Sequence, residues 1–181
     1  MTSLTKIAEY YKYKDLTGDQ LEKALGKKVV LFSDLAKYKN ISQLLGPENY
    51  VVILYQTSSY TNGHYVAITR SDKGVIRFND SYGIDPLRET QYTAYDKALP
   101  NYIADLLQGT NYEKNTIDFQ SWKRTATCGR WSLLFCKLRN FSIIEISHLF
   151  QNQGVLQDKD FTASLLTLIT FDNILGYFEG K

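Results

Sequence analysis

Apolar positions recur at helical spacing through residues 3–13. They do so again after Thr17, which with Gln20 occupies capping-box positions ahead of a short helix ended by Gly26. Residues 33–45 predict one or two further short helices. The period then changes. NYVVILYQ (49–56) is β-branched and apolar and predicts a buried strand. HYVAITR (64–70) and VIRFND (75–80) predict two more, joined by a hairpin turn at SDKG. Residues 98–108 predict a helix stopped by Gly109, and the alternation in NTIDFQ (115–120) predicts a fourth strand. The last third predicts helices over 128–139, from a Ser142/Glu145 capping box onward, and over 161–175. The order α, β, β, β, α, β, α, α, α implies an α+β fold with a central mixed β-sheet flanked by helices.

Composition narrows the picture only a little. A chain of 181 residues fits one domain. The expected division is a helical N-terminal region (1–45), a core (46–140) and C-terminal helices (141–181). A net charge of +2 is too small to argue for nucleic acid and leaves only weak affinity for polyanions. Cys128 and Cys136 are the two cysteines, which excludes a disulfide framework and a four-cysteine zinc site and fits a reducing compartment. No apolar run approaches the ~18 residues of a membrane span, and MTSLTKIAEYYKYK lacks a signal-peptide core.

Four residues carry the chemistry. Cys128 opens a predicted helix in ATCGRWSLLFC, where the positive end of the helix dipole favours a thiolate. His64 opens a predicted strand and Asp80 closes the next; Gln120 closes a later one. All four stand at ends of elements, where side chains can converge on one rim of a sheet. A histidine can take the thiol proton, a carboxylate can orient the imidazole, and a glutamine amide with the Cys128 N–H can hold an oxyanion. Each residue also has a plain reading. Cys128 and Cys136 could both be core thiols, His64 a strand-end histidine, and Asp80 a turn former beside Ser81 and Gly83. Asn79 competes with Asp80, because strand alternation points one of the two towards His64. His148 reads as a surface or packing residue. Trp122 and Trp131 fit a substrate groove or an aromatic core equally well.

The segments NGHYVAI, RFNDSYG, FQS and ATCGRWSLLFC resemble the adenovirus-type maturation proteases (adenain-like) and the SUMO-deconjugating proteases, two branches of one cysteine-peptidase superfamily. The resemblance covers roughly residues 50–140. The family order of His, acid, Gln and Cys-Gly falls on His64, Asp80, Gln120 and Cys128–Gly129, at separations of 16, 40 and 8 residues. It selects Asp80 over Asn79. Tyr65 stands where both branches usually place tryptophan. RFNDSYG, with its aromatic-glycine pair after the acid, is closer to the adenovirus-like branch, Asp80–Ser81 also resembles the deconjugating branch, and the compact size suggests the viral one.

The resemblance implies a Cys-His-Asp endopeptidase with a Gln oxyanion hole. It would act in virion maturation on capsid or scaffold precursors at glycine-containing sites, with Tyr65, Gly129 and Trp122 binding substrate. It implies no cofactor and no metal, weak association with DNA or an activating peptide, no membrane partner, and residence in the virion and the host-cell cytoplasm (virus factory). Rival readings are a ubiquitin-like deconjugase, an acyltransferase, and a non-catalytic capsid-associated protein of the same fold.

Overall fold

The computed structural model describes residues 3–56, 63–88, 90, 98–121, 125–151 and 158–175. Its helices are α1 (Ser3–Tyr11), α2 (Gly18–Leu25), a 3-10 helix (Phe32–Lys37), α3 (Ile41–Leu45), α4 (Tyr102–Leu107), α5 (Cys128–Lys137), α6 (Ile143–Gln151) and α7 (Lys159–Leu175). The strands are β1 (Val30–Leu31), β2 (Tyr50–Gln56), β3 (Gly63–Arg70), β4 (Ile76–Asn79) and β5 (Tyr112–Lys114). The sheet runs β1-β2-β3-β4-β5. The outer pairs β1–β2 and β4–β5 are parallel, and the inner pairs β2–β3 and β3–β4 are antiparallel. The fold is α+β, with a five-stranded mixed sheet flanked by helices.

Local signals explain most of the elements. Thr17 caps α2 through Gln20 N, Gln20 reaches back to the Thr17 N–H, and Gly26 ends the helix in the left-handed conformation at φ 67°. The Ser142–Glu145 pair forms the same reciprocal box ahead of α6. The β3–β4 turn closes with Ser71 N–H donating to Val75 O and Gly74 N–H to Ser71 O. The apolar run in β2 follows from a sheet covered on both faces. Val52 and Leu54 join residues of α2, α5, α6 and α7 in one core layer. Val51, Ile53 and Tyr55 join the 3-10 helix, α3 and α4 in the other. Helix α1 packs on α7 through Ala8, Phe161 and Leu168.

Two expectations need correction. Residues 1–45 are not wholly helical, since Val30–Leu31 add a short parallel edge strand to β2. Residues 115–120 are not a strand; the strand lies earlier, at Tyr112–Lys114. Beyond β5 the chain is held differently. Phe119 and Gln120 both donate their N–H groups to Ser81 O, and the Asn115 side chain brackets the Asp80 backbone. One carbonyl taking two donors, and a side chain in place of a ladder partner, leave no room for regular pairing.

Gly63 sets how closely β3 approaches β2. A Cβ there would lie 1.8 Å from Tyr55 O and 2.7 Å from Leu54 Cδ1. Gly63→Ala should therefore force the two strands apart at the end that carries His64 and destabilise the fold by about 1–3 kcal/mol. Urea unfolding checks this, with a lower midpoint at unchanged slope as the expected result.

Candidate functional site

Strand register brings the site together. His64 is the second residue of β3 and pairs with Tyr55 of β2. Asp80 follows directly on β4, which pairs with β3 from the other side. The His64 Nε2 and the Asp80 Oδ1 are hydrogen-bonded. Cys128 is the first residue of α5, and its thiol lies close enough to the same imidazole to act on its proton affinity. Nε2 is taken by the carboxylate, so Nδ1 is the ring nitrogen free to face the thiol. The imidazole thus lies between a buried carboxylate and a thiol at a helix N-terminus. Burial alone would lower the His64 pKa. The Asp80 charge and hydrogen bond more than offset this, and Cys128 adds in the same direction, so His64 is raised well above 6.5.

Asp80 is 0% exposed, and its remaining acceptor capacity is met. The Oδ2 accepts from Tyr82 N at 3.1 Å and Ile84 N at 2.8 Å. Asn115 accepts from Asp80 N at 2.7 Å and donates to Asp80 O at 2.6 Å. Asn79, the competitor, bonds instead to Ala67 O, Thr69 Oγ1 and Arg77 O. The Tyr82 ring stacks on the imidazole with centroids 5.2 Å apart and an interplanar angle of 25°. Tyr82 is the aromatic of the aromatic-glycine pair that follows the acid in RFNDSYG, a feature shared with the adenovirus-like branch, though its contact with His64 is not legible there. Asn115 offers no local signal.

Gln120 is buried at 2% exposure and fixed from both ends of its amide. Ser81 Oγ donates to Oε1 at 2.8 Å, and Nε2 donates to Thr125 O at 2.9 Å. Its hydrogen bonds therefore run to Ser81 and Thr125 rather than to the thiol or the imidazole. Its second amide N–H is the one an oxyanion would require. Gln120 also lines a cavity of about 650 Å³ with Lys12, Phe119, Thr125, Asp158 and Asp160.

The stretch leading into Cys128 is braced on several sides. Ala126 N donates to Lys12 O at 2.9 Å, and the fully buried Arg130 donates to Lys14 O at 2.5 Å. The buried Asp160 accepts from Ser121 N, Thr127 Oγ1 and Trp131 Nε1. These long-range partners carry no motif in the sequence.

The other expected residues fall as follows. Tyr65 is 6% exposed, with its ring against Gly129 and its hydroxyl towards Gly18. Burial, with the Cys128 and Asp15 charges, pushes its phenol up to about 12. Gly129 has Leu16, Leu21 and Tyr65 within 3.4 Å of where a Cβ would sit, so its smallness seats α5. Trp131 is 0% exposed and belongs to the core rather than to a groove. Trp122 lies outside the described residues. His148 is exposed on α6. Cys136 is 1% exposed, and burial pushes its thiol up to about 12. Among the described residues there is no cluster of three or more His, Cys, Asp or Glu side chains placed to hold a metal ion. No described helix is long and apolar enough to cross a membrane.

Two outcomes follow from this geometry. Iodoacetamide at neutral pH should label Cys128 and leave Cys136 unmodified in the native protein, as read by mass spectrometry of digests. Asp80→Asn keeps the shape but removes the counter-charge, so His64 should lose its proton at lower pH. A histidine raised by its partner contributes stability fully below its unfolded value, and that contribution fades as pH climbs through the folded value. The stability gap between wild type and Asp80→Asn should accordingly be widest below about pH 6.5 and narrow at alkaline pH. Urea midpoints across pH check this, and a gap that widens with rising pH would contradict it.

No protein-family model matches the chain. It is similar to "Uncharacterized protein V9" of Sputnik virophage, with 28% identity over 150 residues, covering 77% of this chain and 85% of that one. The likeness is thus to a viral protein.

Proposed function

We propose that the chain is a cysteine endopeptidase working through Cys128, His64 and Asp80. The observation that carries this is the imidazole shared between a buried carboxylate and a thiol at a helix N-terminus. An imidazolium beside a thiol favours the thiolate, which is the attacking species. Cys128 Sγ adds to the scissile carbonyl carbon, and the C=O electron pair moves onto oxygen. The second Gln120 amide N–H and the Cys128 backbone N–H would hold that oxygen. As the tetrahedral species collapses, the C–N bond breaks and His64 gives its proton to the leaving amine. A thioester remains. Water then attacks it as His64 removes the water's proton, releasing the acid and restoring the thiolate.

The substrate class rests on the resemblance to adenain-like proteases, which implies capsid or scaffold precursors cut at glycine-containing sites during virion maturation. The likeness to a virophage protein fits a viral setting and says nothing of the substrate. Glycine suits a site whose neighbouring aromatic, Tyr65, is packed down against Gly129. A bare backbone reaches such a thiol more easily than a branched side chain.

One assay separates this reading from its rivals. The protein is offered a peptide ending in Gly-Gly-aminocoumarin, a folded modifier–aminocoumarin fusion, and acetyl-coenzyme A with an acceptor peptide. The expected result is turnover of the first, abolished by Cys128→Ala with an unchanged melting temperature. Gln120→Ala should lower kcat by about 100- to 1,000-fold with little change in KM. Turnover of the fusion alone would assign a deconjugase, and acetyl transfer alone an acyltransferase. Inertness towards all three would leave a non-catalytic protein.

A further inference from the structure

Asp160 lies in the first turn of α7, with 1% of its surface exposed. Four donors face its carboxylate. Ser121 N lies 2.7 Å from Oδ2 and Thr125 Oγ1 3.0 Å from it. Thr127 Oγ1 and Trp131 Nε1, the latter at 3.0 Å, meet Oδ1. Three of these donors lie in the short stretch between Gln120 and Cys128, and the fourth lies on the helix that Cys128 opens. Thr125 links the two ends. Its carbonyl accepts from Gln120 Nε2 at 2.9 Å while its hydroxyl meets Asp160. Thr127, directly before Cys128, is held by the other carboxylate oxygen.

A buried carboxylate is costly to keep, and packing α7 on α5 requires none. Here every donor it gathers bears on the separation of Gln120 from Cys128. We propose that Asp160 is a positioning residue, which fixes the spacing between the Gln120 amide and the Cys128 backbone N–H, the two donors of the oxyanion site. The inference rests on the cysteine-peptidase reading. It concerns one half of the site. The other half, the His64–Asp80 pair, is anchored by β3, β4 and Asn115 and makes no hydrogen bond to Asp160.

That separation supplies the test. Asp160→Asn keeps the size but turns an N–H towards a donor. Thr127→Val removes a single donor and leaves the carboxylate its other partners. Each variant is compared with wild type in steady-state kinetics on the glycine-containing peptide, in the iodoacetamide rate at Cys128 across pH, and in its urea midpoint. In Asp160→Asn, kcat should fall by about 10- to 100-fold, the scale of loss when a reacting geometry slips by an ångström. KM should be unchanged and the alkylation rate at Cys128 should not fall, because alkylation uses the thiolate but no oxyanion site, and losing a nearby negative charge does not disfavour a thiolate. Thr127→Val should shift kcat in the same direction by less. Unchanged kcat in both variants would overturn the proposal. So would a joint fall in kcat and alkylation, which would mean general loosening. If Asp160→Asn does not fold, Thr127→Val decides alone. A wild-type protein that cleaves nothing sinks the peptidase reading and this inference with it. Wild-type cleavage with unaffected variants sinks only the inference.

Discussion

The site depends on one arrangement, a histidine ring held between the Asp80 carboxylate and the Cys128 thiol. A buried imidazole left to itself loses its proton easily, because low-dielectric surroundings penalise the charged form. Here the adjacent carboxylate reverses that tendency. The carboxylate can do so only if it is itself tolerated at 0% exposure. Its tolerance comes from donors placed around it: the N–H groups of Tyr82 and Ile84 on one oxygen and the imidazole on the other. Removing any of these donors would leave a buried charge under-solvated, so the turn at residues 80–84 and the histidine are mutually dependent.

The sheet makes this arrangement reproducible. β3 is central, paired antiparallel on both sides, and apolar layers cover both faces. A one-residue slip of β3 against β2 would turn Val66 and Ile68 out of their layer and Tyr65 and Ala67 out of the other. Register is therefore fixed by the whole core, and His64 inherits that fixity at the strand end. Asn115 does for the following loop what a ladder would have done, tying the backbone of Asp80 to the chain beyond β5.

What was legible in the sequence divides along the same line. The capping boxes at Thr17 and Ser142, the apolar run of β2 and the hairpin at Ser71–Gly74 could be read directly, since each is a local pattern with a local cause. The His64–Asp80 pairing could be expected from two strand ends separated by a short turn. The choice of Asp80 over Asn79 came from resemblance, and the structure shows why the two differ: Asn79 is occupied by Ala67, Thr69 and Arg77. The segment at residues 115–120 alternates like a strand in sequence but has no ladder partner: Asn115 and Phe119 are buried with exposed Thr116 and Asp118 between them, and the alternation breaks at Gln120, which turns inward with Phe119 beside Ser81. Asn115 and Asp160 were invisible, since their partners lie 35 and about 30–40 positions away and no periodicity links them.

The two halves of the site are therefore built from different materials, and each needs a buried carboxylate for a different reason. The imidazole half stands on strands, whose positions the core already fixes. There, Asp80 acts through its charge on the imidazole. The thiol half stands on a loop entering a helix, and a loop has no ladder to hold it. The chain must supply acceptors for that loop's orphan N–H and hydroxyl groups from elsewhere, and a carboxylate can take several at once. Asp160 meets that need from α7, while Lys12 and Lys14 supply carbonyls from the segment after α1. The N-terminal and C-terminal helices thus lie outside the segment of family resemblance yet complete its geometry. The catalytic reading of residues 64–128 accordingly belongs to the whole fold rather than to a detachable core.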